Sequence, residues 1–525
     1  MLKSRAASTI LMGYVTPFAS AWLTLAIIGA TTWLLVFTGI TLFIPILDSF
    51  GFRQAQTAIS VYSMLHDKIF IDYLTPVLGA PWALPFEAPI YQLLVAFLTY
   101  MTGLELDACG RIISVLFFFL VLGSGYSIIK TLLPGDRYTP RLFLLLGLVS
   151  PLYLFWARTF MIETCALGLG MAWLACAVRG ADGKSMVWLI ASVPLCVMAA
   201  LAKATTWPAF VVAYGLYFVA ETLRTRSVKV LPTLITAVGI VTAFAITVAW
   251  NRHGDQLRLL NPFGNFLTSD ALRQWTFGTW SQLFSEQLWL NIVPRRILPD
   301  AIGYCWPVLL ICIRYVRGDS MRMILALASI TLFLLPLAIF TNLHVVHEYY
   351  QSANAIFAVA AAAFLLSELA AVGRPGLATF ATALLLAGSV ARFSHVEWPL
   401  AYRPLSQHPF YIAAKLVEQR TKPDTALIVV GLDWSSEIHY YAQRKGVALP
   451  LWATLDQAKK LFDNPDGMMG GLTTAAVIDC RAVHVRYHPQ LDAAISDFVN
   501  GWAQQSDLVL GPASPGVCAV YIKRG

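Results

Sequence analysis

The chain has 525 residues, of which 58% are hydrophobic and only 13% charged, with a mean hydropathy of +0.66. Soluble proteins are roughly half apolar and a quarter charged, so this composition excludes an ordinary soluble protein and indicates a polytopic α-helical membrane protein. The net charge of +8 fits basic cytoplasmic loops and anionic membrane lipids, and it gives no reason to expect nucleic acid as a partner.

Apolar runs, each near the ~20 residues that cross ~30 Å of hydrocarbon, predict about 11 membrane spans. They lie at 20–45, 111–133, 141–157, 165–180, 186–202, 204–222, 230–250, 298–316, 321–340, 353–371 and 376–392. With a cytoplasmic N-terminus, every predicted inside loop is basic, as the positive-inside rule requires. The basic residues are Lys3, Arg5, Lys130, Arg137, Arg141, Arg179, Lys184, Arg224, Arg226, Lys229, Arg314, Arg317, Arg322 and Arg374.

Residues 88–104 are apolar enough for one more span, but counting them as a span would move the later basic loops outside. We therefore predict that they form a helix at the membrane interface, beginning near Pro89. The outer side then carries a large first loop, 46–110, and a loop rich in Trp and Phe, 251–297.

The composition becomes more polar after Arg392, which predicts a transmembrane domain over 1–392 and a small extracytoplasmic α/β domain over 393–525. Its predicted strands and helices are Ala426–Gly431, Ala475–Asp479, Val517–Lys523, Glu437–Lys445 and Gln490–Gln504. Cys480 and Cys518 lie in this domain and can form a disulfide if it faces an oxidising compartment.

Two acids occupy the predicted first outer loop. Asp48 follows the first span and precedes Phe50-Gly-Phe-Arg53; a carboxylate at a span end either performs chemistry or pairs with a neighbour such as Arg53. Glu87 lies between Pro85 and Pro89 in apolar surroundings, which favour a raised pKa and an acid–base role. An ordinary turn acid is the alternative for Glu87.

Further charged and aromatic residues lie at the outer ends of later spans. Arg158 and Glu163 form either an ion pair or part of a site, and Lys203 either contacts a phosphate or extends to the lipid headgroups. The last group is His344, His347, Glu348, Tyr349 and Tyr350. The His-x-x-His-Glu pattern suggests zinc, but it has no third ligand at a helical interval, so contact with a sugar or phosphate is preferred.

These motifs resemble the GT-C membrane glycosyltransferases, especially the bacterial branch of protein O-mannosyltransferases and the lipid A aminoarabinose transferase. The matching pieces are Asp48 with Phe52-Arg53-Gln-Ala-Gln56-Thr57-Ala, Phe86-Glu87-x-Pro89, Arg111, Arg158-x-x-Met161-x-Glu163, Leu201-Ala-Lys203 and His347-Glu348-Tyr349-Tyr350. They span roughly residues 20–370. The family's usual Asp-Glu pair is Asp48-Ser49 here, Ala88 stands in place of a lysine, and Glu163 in place of an aspartate.

The resemblance implies a polyprenyl-phosphate-linked sugar donor, an acceptor glycan, lipid or protein on the periplasmic side of a bacterial inner membrane, and inversion at the anomeric carbon. It implies Asp48, Glu87 and Glu163 as catalytic acids. Arg53, Lys203, Arg158, Arg295 and Arg296 are expected at the donor phosphate. Gln56, Tyr91, His344, His347, Glu348, Tyr349 and Tyr350 are expected at the substrate.

The chemistry requires one carboxylate, Asp48 or Glu87, to take the acceptor's proton, and cations to stabilise the leaving phosphate. Because Arg and Lys can supply those cations, no cofactor is required, although a divalent metal would be compatible. Two other functions stay open. A transporter or flippase of lipid-linked sugars would place ionisable residues at mid-bilayer, and a structural partner in an envelope assembly would tolerate replacement of Asp48 and Glu87.

Overall fold

The structure is a computed structural model that describes residues 17–181, 185–483, 487–511 and 517–524. Lys3, Arg5 and Lys184, three of the basic residues used to orient the predicted spans, lie outside the described residues. The described chain is mainly helical up to residue 420 and contains a mixed sheet after it.

The described residues of the first half of the chain, 17–181 and 185–260, form ten α-helices. They are α1 Pro17–Thr41, α2 Gly51–Asp67, α3 Ile90–Thr102, α4 Leu106–Leu132, α5 Thr139–Val149, α6 Pro151–Trp156, α7 Glu163–Gly180, α8 Met186–Ala202, α9 Trp207–Thr225 and α10 Val230–Leu260. The predicted first outer loop therefore contains a helix, α2, that the pattern of apolar runs did not predict. Its buried face carries Gln54, Gln56, Thr57, Ser60 and Ser63, so it is polar although it is buried.

Between residues 264 and 420 the chain contains three long helices and several short helical segments. The α-helices are α11 Arg273–Phe277, α12 Trp280–Leu283, α13 Leu298–Ile302, α14 Val308–Ile313, α15 Met321–Ile339, α16 Thr341–Val346, α17 Ala355–Ala371, α18 Pro375–Arg392, α19 Trp398–Ala401 and α20 Pro409–Arg420. Gly264–Leu267, Glu348–Ala353 and Leu405–Gln407 are 3-10 turns, and Gln287–Ile297 and Phe393–Glu397 are π-helical.

Five described helices are long and apolar enough to cross a membrane: Ala21–Thr41, Leu106–Leu132, Val230–Leu260, Met321–Ile339 and the continuous Pro375–Ala401. The predicted count of about 11 spans therefore stays a prediction. Two predicted spans are interrupted. The 141–157 run breaks before Pro151, and the 298–316 run breaks at Gly303, whose φ of 85° ends α13. The helix predicted within 88–104 is present as α3, with exposed Phe97, Tyr100 and Met101, and its position at the membrane interface stays a prediction.

The C-terminal part forms a five-stranded sheet in the order β2-β1-β3-β5-β4. Its elements are β1 Ala426–Val430, α21 Glu437–Ala442, β2 Lys445–Ala448, α22 Leu455–Asp463, α23 Pro465–Met468, β3 Thr474–Asp479, α24 Pro489–Gln504, β4 Ser506–Leu510 and β5 Ala519–Lys523. Strand β1 is parallel to β2 and β3, and β5 is antiparallel to β3 and β4.

The three predicted strands are present as β1, β3 and β5, while β2 and β4 were not predicted. The predicted helix 437–445 is too long. It stops at Ala442 because Gln443 takes a left-handed φ of 53°, after which Lys445 begins β2.

The sheet is seated on the first outer loop. Backbone hydrogen bonds from Gly446 to Pro76 (3.0 Å), from Ala448 to Val77 (2.7 Å) and from Gly79 to Gly446 (3.0 Å) cover the edge of β2. Such pairing protects an edge strand that would otherwise expose its polar backbone. One buried apolar cluster accordingly runs from α2 and α3 into the sheet.

Two tyrosines of α21 fix the same junction through contacts with the start of α4. The hydroxyls of Tyr440 and Tyr441 donate to the two carboxylate oxygens of Asp107 at the start of α4, at 2.5 and 2.8 Å. The Tyr441 hydroxyl also accepts from the backbone N–H of Ile46 at 2.7 Å. The sheet thus contacts the chain on both sides of α2.

Cys480 and Cys518 form the disulfide that the sequence allowed, joining the end of β3 to the residue before β5. With a sequence separation of 38, this cross-link is expected to stabilise the sheet by about 3–4 kcal/mol.

We expect Cys480→Ser, Cys518→Ser and the double variant to increase trypsin cleavage after residue 420 to the same extent, because each removes the same bond. Cys305→Ser, which replaces a free cysteine, is the control and should leave cleavage unchanged. Equal cleavage of wild type with and without reductant would show that the bond does not form in the membrane.

Candidate functional site

Asp48 is the centre of a buried ion-pair network. Its side chain accepts from Arg158 at 2.7 Å, from the Gln54 amide at 2.8 Å and from the Ser49 N–H at 3.0 Å, and Arg111 lies 3.7 Å away. Asp48 is 1% exposed and both arginines are completely buried. Burial alone would raise the pKa of Asp48, but the charges of Arg158 and Arg111 and the Gln54 hydrogen bond hold it below its usual value.

The partners of Asp48 come from three parts of the chain: the start of α2, α4 and the turn before α7. Arg111 of α4 donates to the carbonyls of Thr41 and Ile44 at the end of α1, where a helix leaves its last carbonyls without partners. The Gln54 carbonyl oxygen accepts from the N–H of Phe160, in the turn before α7, at 3.0 Å. The network therefore fastens the end of α1 and the start of α2 to α4 and to the 157–162 turn.

Glu87 lies in an extended segment whose backbone is held by three side chains. The Tyr73 hydroxyl donates to the Glu87 carbonyl at 3.2 Å and accepts from the Phe86 N–H at 2.9 Å. The Trp250 indole N–H donates to the Phe86 carbonyl at 2.8 Å, and Arg258 donates to the Pro85 carbonyl. Two prolines and these hydrogen bonds fix the Glu87 carboxylate beside Arg53, at 3.7 Å.

Glu163 and Lys203 form the second acid–cation pair, at 2.5 Å, and both are buried. Glu163 is the first residue of α7, where a negative charge is favourable. Lys203 follows the last residue of α8 and takes an extended backbone. Burial opposes the charge on Lys203, but Glu163 and nearby groups raise its pKa above the usual value, so the lysine stays charged.

Three of these four charged residues, Arg53, Glu87 and Glu163, line one narrow cavity, and Lys203 is paired with Glu163 at its border. The cavity is bordered by Arg53, Gln56, Thr57, Ser60, Tyr73, Thr75, Phe86, Glu87, Gln92, Ile162 and Glu163. Its volume of about 20 Å³ is room for about one water molecule. A larger ligand must therefore displace side chains, and the two ion pairs are the groups that would have to separate.

The rings of His347, Tyr349 and Tyr350 form an aromatic wall beside the pair of Lys203 and Glu163. The Lys203 ammonium lies 4.1 Å from the ring centre of Tyr350 and 5.8 Å from that of Tyr349. His347 stacks on both tyrosines, at 5.8 and 5.1 Å. Burial, assisted by the charges of Arg53 and Lys203, lowers the pKa of His347 to about 4, so its ring is neutral at physiological pH.

Several buried polar atoms near the cavity have no hydrogen-bond partner within the described chain: Glu163 Oε2, Gln56 Nε2, Gln92 Oε1 and His347 Nδ1. Buried polar atoms are normally satisfied, and each exception points to water or a ligand. Together they offer two acceptors, an amide donor and an imidazole nitrogen. This set suits a ligand with both hydroxyl and phosphate groups.

Other predicted site residues lie elsewhere. Arg158 is enclosed with Asp48, and the Tyr91 hydroxyl bonds to the Gly110 carbonyl and Ser114. Arg296 donates to the His344 and Val345 carbonyls. His344 Nδ1 contacts the Gln351 side chain at 3.2 Å. Arg295 is exposed, and Glu348 is half-buried in the turn after α16.

The described residues contain no group of three His, Cys, Asp or Glu side chains placed to hold a metal ion. The residues that the sequence analysis did not assign to the site are Gln54, Gln92, Tyr73 and Arg258. Gln54 belongs to the same motif as Arg53 and Gln56, so that motif could have indicated it. Arg258 carried no local signal, because it was predicted to lie in a loop and instead extends α10.

Solved structures with similar folds include ArnT from Cupriavidus metallidurans in its apo state, with a TM-score of 0.56 and 15% identity over 94% of this chain and 98% of that chain. ArnT bound to undecaprenyl phosphate matches over the same shares at the same identity, with a TM-score of 0.55. No family model matches the chain, and no curated protein matches it in sequence.

More distant structures agree. The oligosaccharyltransferase of Archaeoglobus fulgidus has a TM-score of 0.50 and 11% identity over 86% of this chain and 69% of that chain. Arabinofuranosyltransferase AftD from Mycobacteria has a TM-score of 0.51 and 12% identity over 96% of this chain and 40% of that one. The predicted GT-C fold is thereby confirmed, and with its long apolar helices the chain is a membrane protein.

We expect Asp48→Asn to lower the detergent melting temperature markedly, because breaking a buried ion pair costs about 3–5 kcal/mol. Asp507→Asn, at an exposed pair with Arg524, is the control and should cost at most about 1 kcal/mol. Since the folded pKa of Asp48 is lowered, its contribution is fully present above its usual pKa of 3.8. It is lost as pH falls through the folded pKa.

An Asp48→Asn variant with an unchanged melting temperature would contradict this stabilising role. If it also lost activity, Asp48 would instead be a reacting group.

Proposed function

We propose that this GT-C-fold chain is an integral membrane glycosyltransferase that moves a sugar from a polyprenyl-phosphate donor to an acceptor hydroxyl at the periplasmic face of a bacterial inner membrane. The observation that carries the proposal is the narrow cavity lined by Arg53, Glu87 and Glu163, with Lys203 paired to Glu163 at its border. The fold shared with ArnT, which has been crystallised bound to undecaprenyl phosphate, supports it. The acceptor is a glycan, a lipid or a protein.

The two cations are the groups proposed to hold the donor phosphate. Arg53 and Lys203 pair now with Glu87 and Glu163, at 3.7 and 2.5 Å. A phosphate entering the cavity would compete with both carboxylates for these cations. Hydrogen bonds from charged donors to phosphate are about twice as strong as neutral ones, and they grow stronger as negative charge develops on the leaving group.

This competition would also free a base. Once Lys203 turns to the phosphate, Glu163 loses its partner and becomes able to accept a proton from the acceptor hydroxyl. Glu163 is the preferred base, because one of its oxygens is already buried without a protein partner. Glu87 is the second candidate. Asp48 is proposed to position α2 and Arg53, since its carboxylate is fully engaged by its partners.

The proposed reaction is a single displacement. The acceptor oxygen forms a bond to the anomeric carbon while the bond from that carbon to the phosphate oxygen breaks. The acceptor proton passes to the carboxylate, and polyprenyl phosphate leaves with the bonding electron pair. Attack opposite the phosphate inverts the anomeric centre.

We expect Lys203→Met to weaken undecaprenyl phosphate binding about tenfold to a hundredfold, because it removes a charge-assisted hydrogen bond. Lys203→Arg should retain part of the affinity. Lys415→Met, which removes a half-buried pair with Glu418 far from the cavity in sequence, is the control. Binding can be measured by thermal shift and by lipid co-purification, and unchanged affinity in Lys203→Met would remove the lysine from the donor site.

In membranes supplied with radiolabelled polyprenyl-phosphate sugars, we expect Glu163→Gln to reduce transfer about 10²–10⁴-fold, the usual value of a general base. Its lipid binding should persist. Glu87→Gln at the same expression level tests the other acid, and the larger loss identifies the base. Labelled lipid that crossed proteoliposomes without any transfer would replace this proposal with a flippase.

A further inference from the structure

We propose that a second cavity, between the start of α2 and the C-terminal sheet, binds a neutral sugar of the acceptor. The inference rests on the proposed function, since it names the acceptor's chemical class. The cavity measures about 400 Å³, within the range of small-molecule sites, and lies outside the narrow cavity described above.

The lining of this cavity is typical of carbohydrate recognition. Phe50, Phe52 and Phe410 supply aromatic rings, and Ser435 and Glu437 supply polar groups. A mostly apolar surface with a few fixed polar groups orients a small ligand. Aromatic faces can pack against the C–H faces of a sugar while a carboxyl and a hydroxyl bond to its hydroxyls.

The charges at this cavity favour a neutral ligand over a phosphate. Arg403, which lines the cavity, already donates to the Asp48 carbonyl at 2.6 Å and to the Leu400 carbonyl at 3.4 Å. Glu437 places an acidic group in the same lining, and a carboxylate repels phosphate. Asp48 and His408 are the other titratable residues of the lining.

Glu437 is held in place by its neighbours. One of its oxygens accepts from the Ser435 hydroxyl at 2.8 Å. The other lies against Gly51, where any side chain would collide with the carboxylate. This is the first turn of α2, whose dipole favours negative charge. Burial raises the pKa of Glu437 to about 7, so near neutrality the group can both donate and accept hydrogen bonds.

Phe50 connects this cavity with the candidate active site. Its backbone is left-handed, with a φ of 46°, which is uncommon for a bulky residue and concentrates at functional sites. Its ring lines the cavity and also contacts His347 and Tyr349, at 5.4 and 5.1 Å between ring centres. A sugar in this cavity would therefore lie one ring away from the aromatic wall beside Lys203.

The test is saturation-transfer NMR on the full chain in detergent, with methyl α-mannoside, methyl α-glucoside and N-acetylglucosamine as probes. Glycerol phosphate serves as the anionic comparison. We expect at least one sugar to bind wild type, and Glu437→Gln to weaken it about tenfold, as loss of one charge-assisted hydrogen bond would. Phe410→Ala should weaken it as well, and Asp497→Asn, on an exposed face of α24, should not.

Undecaprenyl phosphate binding by the same variants separates this inference from the proposed function. It should equal wild type in Glu437→Gln and Phe410→Ala, and it also shows that they are folded. The inference is overturned if no sugar binds wild type, if glycerol phosphate binds in the cavity in place of a sugar, or if Glu437→Gln binds sugars as wild type does. Loss of lipid binding by Lys203→Met together with unchanged sugar binding would support both proposals separately.

Discussion

The buried carboxylate of Asp48 is the constraint on which the junction between the long helices and the first loop depends. An ionised group with 1% exposure is stable only when opposite charges and hydrogen bonds surround it. Arg158, Arg111 and Gln54 supply them from three separate parts of the chain. Satisfying one charge therefore fixes the positions of α1, α2, α4 and the turn before α7. Of these segments, α2 borders both cavities and the turn before α7 borders the narrow one.

Ion pairs also lie at the narrow cavity, but fewer groups hold them than hold Asp48. Arg53 with Glu87 and Lys203 with Glu163 are paired, but among the described residues each of these carboxylates has a single cation as its partner. Glu163 also keeps an oxygen without a protein partner. A network with many partners is costly to open, whereas a single pair beside unsatisfied polar atoms can exchange its partner for a ligand. This difference separates the residues proposed to hold the frame from those proposed to react.

The C-terminal sheet belongs to the same arrangement. Its β2 edge is covered by the first outer loop, and α21 brings both the tyrosines that bond to Asp107 and the carboxyl that faces Gly51. It therefore closes the second cavity from one side while α2 closes it from the other. Helix α2 also carries Arg53. Displacement of the sheet would therefore shift α2 and change the position of Arg53 in the narrow cavity.

The sequence by itself determined the membrane class, the long apolar helices, three of the five strands and the motif around Arg53, because hydropathy, strand pattern and residue type are local properties. It did not determine α2, whose buried face is polar, or the end of α21, where Gln443 turns left-handed. Only the tertiary structure decided which charges pair. Asp48 pairs with an arginine 110 residues away in sequence, and Glu163 pairs with a lysine 40 residues away. These pairings depend on distances in space that arise only when the chain folds.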